Sequence, residues 1–537
     1  MLEHYEYSEL PQSQDGEKWI RILDLLPSTD KKEPIKVRLR AVPLDQSLKY
    51  NAVSYVWGDT HVTATVFVED EEAKICGKRE ITTNLVEGLR VFRLPDRERT
   101  LWVDALCINQ DSTNERSQQV GMMGSIYWLA ERVLIWLGPD KQGVAGEVLK
   151  YMRSISQDYF HSPNKQHHNR ARNAAETEAF DARIWSGIKS LYDNPWFERV
   201  WVQQEIGLAD KASFFWGDRE SCCHHDILGF DLWLEGAAQL AVTRFRMDQG
   251  ILRCTRDHWI SYGRSTREAW ADDREGFLSS RPFLLTLIGG SRCKASDPRD
   301  HVYAFLGHPS ARRQYAYRPE QQINYLKLMA GEDKPLVSPD YNKSVDHVFL
   351  ETAIALFFQQ RDMRVLAAVR HTEGSLARNY PSWVPRWDAI REQRPIGAFP
   401  FDSSPVVAAP DNVSPTFEFH NLESTDSIRA SLTLRGLVYQ TIDRLFDFND
   451  GTEWLQQNIS GRRFFRTKSE EDGLAPTVAR PGDMVVLLLC SYAPCLLRHV
   501  KGDEYKFVGN CYVFGIMDRM SQIVSNDDAN IKTFVLI

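Results

Sequence analysis

The chain has 537 residues, 43% of them hydrophobic and 11% aromatic, which suits several domains with large buried cores better than one. Its 65 basic and 73 acidic side chains are well mixed and leave a net charge of -8, so no basic footprint for nucleic acid stands out. The opening "MLEHYEYSELPQSQDGEKW" shows no signal-peptide pattern, and the longest apolar run, "MVVLLLC" at 484–490, is too short to cross a bilayer, so a cytoplasmic protein without a membrane partner is expected.

Nine scattered cysteines, an odd number without disulfide-type spacing, fit a reducing compartment. In chain order, residues 1–44 are expected to form an extension with short strands. "YNAVSYVWGD" (50–59) reads as a strand ending in a turn at Gly58-Asp59, and "TLWVDALCINQ" (100–110) as a second strand. "ERSQQVGMMGSIYWLAE" (115–131) has a helical period, and "RVLIWLG" (132–138) is a third strand closed by glycine. Apolar strands separated by helices predict a doubly wound parallel α/β sheet over 45–220.

An insertion near 139–194 contains the polar stretch 161–179, expected to be an exposed loop. "NPWFERVWVQQEIGLA" then reads as one helix with Asn194 as N-cap and Pro195 at its first position, and "KASFFWG" (211–217) as a further strand. Residues 221–394 are mainly helical, with amphipathic segments at 226–242, 282–289, 300–307 and 345–358. The stretch 395–425 reads as a linker or long loop, and 426–537 as β-rich.

Helical steps from Phe197 lead through Trp201 to Glu205 and Leu208, so a carboxylate lies in line with an apolar stripe. Such a group finds a partner, raises its pKa, or faces a cavity. In the doubly wound class, strand ends share the edge at which ligands bind, which gathers Ser54, Asp59 and Asp104 near this glutamate. Loop capping is the structural alternative for the two aspartates, and a plain turn role for Ser54. For Glu205 the alternative is a pairing with Arg199, Arg132 or a backbone donor that pins the helix. "CCHH" at 222–225 cannot converge on one tetrahedral ion, so no metal is expected. Cys107, on the second strand, reads as a small buried hydrophobe. "DPRDHVYAFLG" (297–307) reads as an ion-pair network docking the helical region.

In order and wording, "YNAVSYVWGD", "LWVDALCINQDSTNERSQQVGMMGSIYWLAERVLIWLG" and "NPWFERVWVQQE" resemble the three signature blocks of fungal heterokaryon-incompatibility (HET) domain proteins. "DPRDHVYAFLG", "PDYNKSVDHVFLETA", "PSWVPRWD" and residues 482–518 resemble the blocks that follow that domain. HET domains are distantly similar to the flavodoxin-like TIR domains, and "WVQQE" resembles the TIR motif Trp-x-x-x-Glu. That resemblance implies a catalytic Glu205 in an enzyme that cleaves NAD, with no other cofactor.

Loss of nicotinamide from NAD creates an oxocarbenium-like sugar and a neutral leaving group. One carboxylate is then chemically adequate, without a general acid. Tyr55, Trp57 and Trp201 would supply stacking surfaces for nicotinamide or adenine. The family implies non-self recognition and programmed cell death, with self-association and an incompatibility partner protein. A non-enzymatic recruitment module, or a regulator of another pathway, is the alternative.

Overall fold

A computed structural model describes residues 3–11, 17–161 apart from 71 and 73, 182–231 apart from 219, 224, 225 and 228, 282–312, 334–389 apart from 361 and 362, 418–420, 430–446 and 461–537. The chain divides into two units, Met1–Arg312 with Tyr317–Asn342, and Arg313–Ala316 with Lys343–Ile537.

The first unit is built on a nine-stranded sheet of β1 (Trp19–Leu25), β2 (Lys36–Pro43), β3 (Asn51–Tyr55), β4 (Thr63–Glu69), β5 (Ile75–Thr82), β6 (Arg99–Trp102), β7 (Arg132–Trp136), β8 (Ala212–Phe215) and β9 (Glu220–Cys223). Its spatial order is β5-β4-β2-β1-β6-β3-β7-β8-β9. The expected parallel sheet is present at the centre, where β6, β3, β7 and β8 run parallel, and β2 and β4 form one further parallel pair. Around them β1 is antiparallel to β2 and β6, β4 to β5, and β9 to β8. Connection length explains the difference. The links between β1 and β2, β4 and β5, and β8 and β9 are short enough to reverse the chain, whereas parallel neighbours need long crossovers. Strands β1 and β2, from the expected N-terminal extension, are part of this sheet.

The crossover from β6 to β7 carries α2 (Asp104–Cys107) and α3 (Thr113–Leu129). Ser112 caps α3 by accepting from the Glu115 amide, and Tyr127 fixes the helix to the sheet through its hydroxyl on the Val53 carbonyl at 3.0 Å. The second strand is shorter than expected, ending at Trp102. The Asp104 carboxylate accepts its neighbour's amide, Ala105 N, at 2.8 Å and the chain turns into α2. Cys107 therefore lies in a helical turn, fully buried, and burial pushes its thiol up to about 12.

The crossover from β7 to β8 carries α4 (Ala145–His161), a helix at Ala182–Tyr192, and the segment that holds Glu205. The single helix expected from 194 is broken in two. Asn194 does cap the first piece, accepting from Trp196 N at 3.0 Å, but that piece is a short 3-10 turn, Pro195–Glu198. Arg199 is extended because the backbone there bonds to Lys294: Lys294 N donates to Glu198 O at 2.6 Å, and Val200 N to Lys294 O at 3.0 Å. Helix Val202–Gly207 follows, with Trp201 and Glu205 one turn apart. The expected helices near 282–289, 300–307 and 345–358 are observed as Phe283–Gly290, Asp300–Tyr303 and Val345–Gln360. Most of 226–242, of the loop at 161–179 and of the linker at 395–425 lies outside the described residues.

The second unit is β-rich, as expected. It contains β10 (Glu418–His420), β11 (Ser431–Phe446), β12 (Arg462–Thr467), β13 (Asp472–Pro476), β14 (Met484–Leu488), β15 (Cys495–Lys501), β16 (Glu504–Asn510), β17 (Tyr512–Val513) and β18 (Lys532–Leu536). The pairings of β11 with β14, β14 with β15, β15 with β16, β16 with β18, and β18 back to β11 close into a barrel. Closure removes sheet edges, and Leu437, Val485, Leu487, Leu496 and Val508 belong to the unit's apolar core.

Candidate functional site

At the carboxyl ends of β3 and β6 a cavity of about 500 Å³ opens, lined among others by Trp57, Asp104, Arg116, Arg199, Trp201, Glu205, Asp300 and Tyr341. Glu205 is only 3% exposed, and its carboxylate accepts the hydroxyl of Ser54 near the carboxyl end of β3. Ser54 is fully enclosed and in turn accepts from Trp196 Nε1 at 2.8 Å. Serine is thus a buried relay between two segments, not a turn residue.

Burial pushes the Glu205 carboxyl up to about 7. The Arg199 charge and the Ser54 hydrogen bond oppose the shift, and the Asp104 charge adds to it. Of the pinning partners considered from sequence, Arg132 donates elsewhere, to Ser213 Oγ at 2.6 Å, and the Arg199 guanidinium donates to the Tyr55 carbonyl while its charge acts on Glu205.

Asp104 is bonded by neutral donors on both oxygens. Tyr55 OH and Ala105 N meet Oδ1 at 2.9 and 2.8 Å, and Trp57 Nε1 meets Oδ2 at 2.9 Å. Its observed work is therefore to hold Trp57, an indole still 36% exposed, at the mouth of the cavity. Tyr55 itself is buried beneath, and desolvation raises its phenol well above the ordinary value. Asp59 does not line the cavity; its carboxylate accepts from His61 N at 2.9 Å in the following turn, the capping role that was the alternative.

Trp201 is oriented from the far side of the sequence. Its Nε1 donates to Asp300 Oδ2 at 3.0 Å, and Tyr341 OH donates to Asp300 Oδ1 at 2.6 Å. Burial pushes Asp300 up to about 6 against these two donors. The charge-dense run at 297–300 does contain an ion pair, with Arg299 gripping Asp297 through Nε at 2.9 Å and Nη2 at 2.7 Å. Asp300, however, belongs to the cavity. Sequence reasoning also missed Trp196, Arg116 and Tyr341. The paired tryptophans of "NPWFERVW" were a signal for the first, whereas positions 116, 300 and 341 lie inside the quoted blocks with nothing local to mark them as cavity residues, since only folding brings them together.

Among the described residues no group of histidine, cysteine and acidic side chains is placed to hold a metal ion, and no helix is long and apolar enough to cross a membrane. His224 and His225 of the "CCHH" run lie outside the described residues.

Residues 50–205 match the heterokaryon incompatibility protein (HET) family model, a match that ends on Glu205, and residues 448–536 match the Het-6 beta-barrel domain model. The chain is similar to "Heterokaryon incompatibility protein 6, OR allele" of Neurospora crassa, 28% identical over 230 residues that cover 38% of this chain and 34% of that protein. The chain thus spans about a third of the length of that relative. No solved structure matches it. With a HET match over residues 50–205, a Het-6 barrel match over residues 448–536 and a relative named for the same role, the chain resembles fungal heterokaryon-incompatibility proteins over those stretches.

Proposed function

We propose that the chain acts in heterokaryon incompatibility, the role in its Neurospora relative's name, and that it promotes cell death by hydrolysing the bond between nicotinamide and ribose in NAD. The observation that carries this reading is Glu205, a buried carboxylate that reaches a 500 Å³ cavity flanked by Trp57 and Trp201. The order of the four parallel strands, second-first-third-fourth in the chain, supports it further, since flavodoxin-like sheets, TIR domains among them, share that order.

In the reaction the bond from C1′ of the ribose to the nicotinamide nitrogen breaks, and its electron pair leaves with neutral nicotinamide. The Glu205 carboxylate stabilises the positive charge left on the sugar, more strongly in a desolvated site than in water. Water adds to C1′ and its proton passes to solvent. Trp57, fixed by Asp104, and Trp201, fixed by Asp300, give the flat ring systems of the substrate surfaces to stack on. Ser54 and Arg199 keep a useful fraction of Glu205 ionised near neutrality, so cleavage rises with pH through about 7.

The test is incubation of purified protein with NAD and NADP at low and high protein concentration, reading nicotinamide release. Glu205→Gln is expected to reduce release by about 100-fold or more, the scale of losing one electrostatic stabiliser. Absence of release at every concentration, with growth arrest on expression retained by Glu205→Gln, would move the domain to a recruitment role. The bonds from Trp196 to Ser54 and from Ser54 to Glu205 would then act as a brace between the helix and β3.

A further inference from the structure

Arg116 stands in the first turn of α3 and lines the cavity beside Glu205 and Trp57. Arginine cannot discharge at physiological pH, and its planar head presents several N–H donors in a rigid fork. In several arginines of this unit that fork is occupied. Arg299 grips Asp297 through Nε and Nη2, Arg40 grips Asp24 the same way at 2.7 and 3.4 Å, and Arg21 grips Glu115. Arg116, like Arg90, is not so committed, and of these two it is Arg116 that lines the cavity. Among the described residues its guanidinium makes no hydrogen bond and no ion pair, and its Nε is enclosed without an acceptor.

What it does make is a stack on the ring of Tyr341, with the guanidinium carbon 4.2 Å from the ring centre. Tyr341 is held in three ways: its hydroxyl donates to Asp300, its amide to Ser117 Oγ at 3.1 Å, and its carbonyl accepts from Arg299 at 2.7 Å. The two acids nearest in charge to Arg116 are committed to other donors, Asp297 to Arg299 and Asp300 to Trp201 and Tyr341. A cation stacked on a fixed ring, with its donors unspent, faces a cavity large enough for a nucleotide moiety.

We infer that Arg116 binds a phosphate group of the cavity's ligand, which makes that ligand a phosphorylated nucleotide rather than a nucleoside or a peptide. The inference rests on the dinucleotide reading of the site and adds the group that recognises the diphosphate. Stacking on Tyr341 leaves the edge of the guanidinium for two phosphate oxygens, the geometry in which arginine outperforms lysine.

The test is calorimetric binding of ADP and of adenosine to the full-length wild type, Arg116→Gln and Arg116→Lys. Wild type is expected to bind ADP about tenfold or more tighter than adenosine, as one charge-assisted pair warrants. Arg116→Gln should erase that difference, and Arg116→Lys should restore part of it by keeping charge without the fork. Arg116→Gln gives up the stack on Tyr341 and should unfold slightly below the wild-type temperature, whereas Arg116→Lys keeps a cation over the ring and should unfold close to it. Equal binding of ADP by wild type and Arg116→Gln, or no wild-type preference for ADP over adenosine, overturns the inference. Arg116-dependent binding of ADP in a protein that releases no nicotinamide would instead overturn only the cleavage reaction.

Discussion

Glu205→Gln keeps the shape of the side chain and removes its titration, which turns the burial of this group into a measurable free energy. In the folded chain the carboxyl titrates at about 7 instead of 4.5. Between those values the folded state retains a proton that the unfolded chain has released, so wild-type stability falls as pH rises through that window and stays reduced above it. A displacement of this size corresponds to about 3 kcal/mol, with no discount for solvent because the residue is 3% exposed. Glutamine can still accept from Ser54, but its amide nitrogen needs an acceptor, a cost of about 1–3 kcal/mol that does not depend on pH. That constant cancels when the difference between variant and wild type is compared at pH 5 and at pH 8. Over this interval the variant should gain about 2.5 kcal/mol on the wild type, because part of the loss is already complete at pH 5, read from denaturant unfolding of the first unit's transition at each pH. Parallel pH profiles, with the difference constant to about 0.5 kcal/mol, would show that Glu205 is not raised by burial and would refute the argument built on it.

Ser54→Ala strips the acceptor from Trp196 Nε1 and the donor from Glu205, so it should cost about 1–3 kcal/mol and move the Glu205 midpoint further up, seen as a pH-dependent loss that continues to higher pH in the same comparison. Tyr341→Phe removes a hydrogen bond to Asp300 that strengthens when the acid ionises. Its cost in thermal unfolding should approach about 2 kcal/mol at pH 8 and be smaller at pH 5, below the Asp300 midpoint of about 6. In the second unit, Gly436→Ala would place a methyl 2.8 Å from the Leu487 carbonyl and 3.0 Å from Leu488 Cα, both backbone atoms of the barrel. A loss of about 1–3 kcal/mol in that unit's unfolding transition is expected, and a neutral effect would mean that β11 and β14 are not paired as described.

How far the site was legible depended on how far its parts lie apart in the chain. Strands β3, β7 and β8 and helix α3 were readable because each is set by its own run of apolar residues, buried on both faces or along one stripe. Glu205 was readable because the step from Trp201 is local, inside one helical turn. The break at Arg199 was not, since it depends on the Lys294 backbone, more than ninety residues along the chain. Nor could sequence say that the partner on Glu205 is a serine 151 positions away, or that Asp300 and Tyr341 would fix Trp201.

The carboxylate in the apolar stripe can be understood from those distant partners. Apolar walls alone would leave it protonated and chemically mute at neutral pH, while a full ion pair would hold it ionised but spend its charge on a neighbour. Ser54 gives one neutral hydrogen bond, and Arg199 sends its donor to the Tyr55 carbonyl while its charge still acts on the glutamate. Burial and Asp104 push the other way, and the balance falls at about 7. A glutamate that served only to pin its helix would be better held by the guanidinium itself. An arginine close enough to tune the acid, yet bonded elsewhere, is the arrangement expected where the charge is kept for something that enters the cavity.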